Sequence, residues 1–116
     1  MFTYKANVVK IVDGDTLDVS IDLGFKIFTV KRIRLQGINT PETYGVKKYS
    51  EEYKNGMLSK NFVIEFVNNC ESVVEIHTRQ ERGKYGRYIA TIFAPGSAKS
   101  LNDILVEKGY AVYVNY

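Results

Sequence analysis

The stretch Val8-Val9-Lys10-Ile11-Val12-Asp13-Gly14-Asp15-Thr16-Leu17-Asp18-Val19-Ser20-Ile21-Asp22 decides the fold class. A β-rich run ends at Val12, and the Asp13-Gly14 pair that follows is a strong signal for a tight hairpin turn. Beyond it Leu17, Val19 and Ile21 alternate with Thr16, Asp18 and Ser20. That period of two is the mark of a half-buried strand, so the stretch reads as an antiparallel hairpin with one apolar face.

Outward from the hairpin, Gly24 marks a second turn, and residues 26–36 read as a third strand. Ile27, Ile33 and Leu35 fall on one of its faces. Phe28 and Val30 lie on the other, which turns cationic at Arg32 and Arg34. An apolar strand face that becomes cationic at one end suggests an open site there. Residues 38–49 read as a loop, in which Pro41 restricts Thr40 to extended geometry.

Ser50 followed by Glu51 and Glu52 predicts a helix N-terminus, with acids at the positive end of the dipole. The helix is expected to run to about Phe66, with Leu58, Phe62 and Phe66 along one face. Gly56 within it would let another element approach closely. Strands are expected at 72–78 and 87–93, and Pro95-Gly96 turns the chain. Ser100 with Asp103 resembles a capping box that opens a short helix closed by Gly109. Three strands, a helix, two strands and a helix make a mainly β chain with helices (α+β). The order is that of a five-stranded OB-fold barrel with two helices.

The 116 residues are enough for one domain spanning 1–116, with 45% apolar and 25% charged residues as in ordinary globular chains. Sixteen Lys and Arg against 13 Asp and Glu give +3, which favours a polyanionic partner only weakly. Cys70 stands alone, so no intramolecular disulfide forms. One His and one Cys exclude a zinc site of the Cys/His type, leaving a hard, oxygen-bound metal as the alternative. His77 in its strand pattern reads as structural. No apolar run reaches the length of a membrane span and no signal peptide opens the chain. The expectation is therefore a soluble, cytoplasmic monomer with no membrane contact, with secretion only if a leader has been removed.

Three segments carry chemistry: Val12 to Thr16, Arg34 to Glu42, and Gly83-Lys84-Tyr85-Gly86-Arg87. Alone, the first reads as a hairpin turn, the second as a polar loop after a strand and the third as a basic surface hairpin. Together they resemble the staphylococcal nuclease (thermonuclease) family. Its Asp-Gly-Asp-Thr signature stands as Asp13 to Thr16, and its Arg with a following Asp-x-Pro-Glu segment as Arg34 to Glu42. Its Lys-Tyr-Gly-Arg stands as Lys84 to Arg87, and Leu101 to Gly109 is similar to the family's late helix.

The resemblance implies a calcium-dependent nuclease of low sequence specificity that hydrolyses DNA or RNA, with single strands favoured, and leaves 3′-phosphate ends. Its catalytic residues would be Arg34, Glu42 and Arg87. Asp15, Asn39 and the carbonyl of Thr40 would bind Ca2+, and Lys84, Tyr85 and Tyr113 would contact substrate. Asn39 stands where the family usually has Asp, so the site carries one negative charge fewer and weaker metal binding is expected. The family's further C-terminal helix is expected to be absent. A catalytically weakened nucleic-acid-binding module on the same fold is the alternative.

Overall fold

A computed structural model describes residues 2–82 (side chains through 79) and 88–115. Its strands are β1 (Phe2–Asp13), β2 (Thr16–Asp22), β3 (Phe28–Leu35), β4 (Ile38–Asn39), β5 (Val73–Arg82), β6 (Tyr88–Phe93) and β7 (Val112–Tyr113). Helix α1 (Glu51–Asn69) lies between β4 and β5, and α2 (Leu101–Glu107) between β6 and β7.

Five strands close a barrel in the order β1-β2-β3-β6-β5. All neighbours are antiparallel except β3 and β6, which run parallel with Ile33, Arg34 and Leu35 opposite Tyr88, Ile89 and Ala90. This is the expected OB-type barrel, and closure leaves its strands without an open edge.

The alternation read from β2 fills the interior: Leu17 and Val19 are 0% exposed and Ile21 8%. Ile33, Leu35, Val74, Ile76, Ala90 and Ile92 meet them from the other strands. Val63 and Val67 of α1 and Leu101 and Leu105 of α2 extend the same core. Asn102 ties α2 to the barrel, its side-chain amide donating to Gln36 O (2.9 Å) while its oxygen accepts from Ile92 N (3.2 Å).

Both helix starts are capped as expected, Ser50 Oγ accepting from Tyr53 N and Ser100 Oγ from Asp103 N. Gly109 follows α2 with φ +82°, a left-handed conformation that suits glycine.

Four details differ from the sequence reading. The first turn consists of Gly14 and Asp15, because Asp13 still pairs with Thr16. Ile27 does not join Ile33 and Leu35 inside. It is 56% exposed, within a turn closed by Leu23 N to Ile27 O and Ile27 N to Gly24 O bonds.

Helix α1 continues to Asn69 and buries the stripe Gly56, Ser59, Val63 and Val67. Phe62 and Phe66 flank this stripe half-buried, and Leu58 faces solvent. Small residues lead the contact line because other backbone presses on the first turns of the helix. Finally, residues 38–49 are not wholly loop: β4 pairs with β7, Ile38 opposite Tyr113 and Asn39 opposite Val112. That two-residue ladder draws the end of the chain alongside the segment that follows β3.

Candidate active site

The β1–β2 turn, the end of β3 and the segment after β4 converge beside α1. Arg34 is the penultimate residue of β3, directly across from Thr16. It is only 8% exposed, so its charge must be met inside the protein. Nη1 donates to Leu35 O at 3.0 Å; Nη2 donates to Asn39 Oδ1 and lies 3.4 Å from Asp15 Oδ2.

Asp15 is equally buried, at 7% exposure. Its Oδ1 accepts from Thr16 Oγ1 (3.0 Å) and its Oδ2 from Thr40 N (3.1 Å), while its carbonyl accepts from Leu35 N (2.8 Å). One aspartate thereby joins the turn, the end of β3 and the loop in a single network. The structure brings together Asp15, Arg34, Asn39 and Thr40.

Glu42 follows on the same loop and is exposed, with its backbone N 3.5 Å from Glu52 Oε1. Partial withdrawal from water is the largest cause holding its carboxyl above the ordinary glutamate range. The charges of Asp15, Asp13 and Glu52 push the same way, and Arg34 opposes them.

Burial likewise raises the Asp13 carboxyl, with Asp15 adding to the shift and the Thr43 hydroxyl acting against it. Asp13 and Thr43 were not singled out from sequence as site residues. Asp13 stood in the right tripeptide but read as turn chemistry, and nothing local marked Thr43.

Close backbone packing holds this end together. A Cβ on Gly14 would come within 2.9 Å of Ser59 Cβ and 3.0 Å of Thr40 Cγ2. One on Gly56 would lie 2.8 Å from the carbonyl oxygens of both Pro41 and Glu42. The expectation that Gly56 admits a neighbouring element is met by this loop. A cleft of about 440 Å³ opens alongside, lined by Asn39, Thr40, Pro41, Glu52, Asn55 and the stretch Gly109–Val112.

Tyr113 pairs with Ile38 through β7 but does not line that cleft. It is 62% exposed, and its hydroxyl donates to Asp103 Oδ1 at 3.0 Å. That bond is the main cause raising the phenol above its usual range. Arg87, Lys84 and Tyr85 lie outside the described residues.

The donors suit a hard cation: the Asp15 carboxylate, the Asn39 amide oxygen and the Thr40 carbonyl are all oxygen. The Thr40 hydroxyl is buried and without a hydrogen-bond partner among the described residues. Among the described residues no group of three or more His, Cys, Asp or Glu could hold a metal ion, so a cation held here would have to draw on neutral oxygens as well.

A closed five-stranded barrel with a buried arginine–carboxylate network at one end defines an OB-type domain. Residues 32–116 match the sequence model described as staphylococcal nuclease homologue, and the chain belongs to that family. An uncharacterized protein of Methanocaldococcus jannaschii is 32% identical across 97% of this chain and 60% of its own length. The SPbeta prophage-derived endonuclease YokF of Bacillus subtilis is 31% identical, covering 86% of this chain and 31% of its own. The thermonuclease of Staphylococcus intermedius is 31% identical over 74% of this chain and 46% of its own. The chain thus spans less than two thirds of each of these relatives.

Proposed function

We propose that this chain is a calcium-dependent nuclease that hydrolyses phosphodiester bonds of DNA or RNA with low sequence specificity. The observation that carries the reading is the buried Arg34 guanidinium, fixed by Leu35 O, Asn39 and Asp15 beside the loop that bears Glu42. Family membership and the relatives named endonuclease and thermonuclease support it.

Hydrolysis needs a water aimed in line with the leaving oxygen and stabilisation of charge on the nonbridging oxygens. A planar guanidinium can meet two such oxygens, and Arg34 is already oriented by its contacts with the chain. The Glu42 carboxylate, exposed on its loop, accepts the proton of the attacking water. Water adds to phosphorus as the 5′-oxygen leaves and takes up a proton, so the product ends are a 3′-phosphate and a 5′-hydroxyl.

Arg87 would supply the second guanidinium, with Lys84, Tyr85 and Tyr113 contacting substrate. Asp15, Asn39 and the Thr40 carbonyl would hold calcium, which when bound neutralises charge on a phosphoryl oxygen. These groups address phosphate rather than base edges, hence low selectivity, and unpaired strands reach them most readily.

One observation favours a second reading, a binding module with weakened catalysis: the neutral Asn39 is engaged by Arg34. Cleavage of labelled single-stranded DNA and RNA, with calcium and with chelator, separates the two. Calcium-dependent cutting that collapses in Glu42→Gln supports the nuclease. Salt-sensitive binding without cutting by the native chain would replace it with the binding module.

A further inference from the structure

We propose that the Asp13-Gly14-Asp15 turn is a two-point clamp on the loop that presents Glu42, with Asp13 and Thr43 as positioning residues. The inference rests on the role given to Glu42 above.

The two aspartates of one turn hold the two threonines that bracket Pro41-Glu42. Asp15 Oδ2 accepts from Thr40 N at 3.1 Å, and Asp13 Oδ1 accepts from Thr43 Oγ1. Gly14 between them lets the turn sit against Thr40 and Ser59, where a Cβ would come within 2.9–3.1 Å of their side chains.

The segment is equally tight on its other side. A Cβ on Gly56 would approach Pro41 O, Glu42 O and Thr43 Cγ2 to 2.8 Å each, so the loop lies directly on the α1 backbone. Pro41 fixes its own φ within this seat. Pinned at both ends and pressed on helix backbone, the loop leaves the Glu42 side chain exposed at its crest.

Asp13 is 7% exposed, a costly place for a carboxylate whose only task is to make a turn. An asparagine would serve a turn as well. Its hydrogen bond from Thr43, thirty residues along the chain, gives the burial a purpose.

Because a misplacement on the order of 1 Å can cost roughly a hundredfold in rate, partial loss of the clamp should act on turnover. The test compares native protein with Thr43→Val, Thr43→Ser and Asp13→Ala, and Glu42→Gln with Glu42→Gln/Thr43→Val. Readouts are kcat and KM on single-stranded DNA with calcium, and amide hydrogen exchange at residues 42–44.

Thr43→Val and Asp13→Ala should lower kcat about tenfold with little change in KM, and should speed exchange at 42–44. Thr43→Ser should restore both. Added to Glu42→Gln, Thr43→Val should cost little more, because both act through one group. Native kcat in Thr43→Val, or the full loss repeated in the Glu42→Gln background, overturns the positioning role.

If the native protein does not cut at all, the nuclease reading fails separately. Exchange then decides the clamp: faster at 42–44 in Thr43→Val and Asp13→Ala and restored in Thr43→Ser upholds it, and unchanged exchange sinks it.

Discussion

Asn39 sets the charge of the site. Its amide oxygen accepts from Arg34, which also lies against the buried Asp15 carboxylate, and both oxygens belong to the proposed cation ligands. Replacing it with Asp adds a negative charge without moving the donor atom, so Asn39→Asp should bind calcium on the order of tenfold more tightly. Isothermal calorimetry on native and variant proteins measures this directly, and equal affinities would remove Asn39 from the coordination set. Asp15, Arg34, Asn39, Thr40 and Glu42 were legible in the sequence because they stand in two short segments whose order carries the resemblance. The Asp13–Thr43 bond was not, because it joins residues thirty positions apart and only the folded backbone brings them together.

Elements follow sequence pattern where tertiary contacts do not compete. The β2 alternation was legible for that reason, since the barrel interior takes Leu17, Val19 and Ile21 directly. The buried stripe of α1 was read one position away, because size alone favours Leu58, Phe62 and Phe66, whereas the loop carrying Glu42 demands Gly56 and Ser59. The β4–β7 ladder is too short to leave a period at all. Gly56→Ala puts this to the test. In a free helix the change gains about 1 kcal/mol. Here the added methyl meets backbone carbonyls at 2.8 Å, and overpacking costs about 1–3 kcal/mol, so a net loss of about 1 kcal/mol is expected by urea denaturation. Across β2 and β3, Arg32 donates to both oxygens of Asp18 at 2.8 and 3.1 Å and holds its carboxyl below the ordinary value of 3.8. A depressed folded-state pKa contributes stability above the unfolded value, and that stability is lost as pH falls through the folded one. For so solvated a pair, Asp18→Asn should cost about 0.5 kcal/mol at pH 7 and nothing once the native carboxyl is protonated in strong acid. A pH-independent cost would assign the effect to packing instead.

At the scale of the whole molecule, the site is also a structural joint. Asp15 links the β1–β2 turn to Leu35 and Thr40, Ser59 Oγ donates to Tyr110 O at 2.7 Å, and Val114 N donates to Gly37 O at 2.9 Å. The β1–β2 turn, the segment after β3, α1 and the stretch after α2 therefore meet around the proposed cation ligands. A cation that binds this arrangement and not the unfolded chain must stabilise the fold by mass action. At a calcium concentration one hundred times Kd the gain is about 2.7 kcal/mol, which for a domain of this size raises the melting midpoint by about 10 °C. Chelator should return the midpoint to its starting value, and Asp15→Asn should remove most of the calcium response while leaving the chelated protein folded. Asn39→Asp should reach the same plateau at lower calcium, which ties the stability measurement to the affinity measurement through one ligand set. A midpoint that ignores calcium at millimolar levels, in native protein and Asn39→Asp alike, would exclude a working calcium site here. Any nuclease activity would then have to rest on the arginines and Glu42 without that ion.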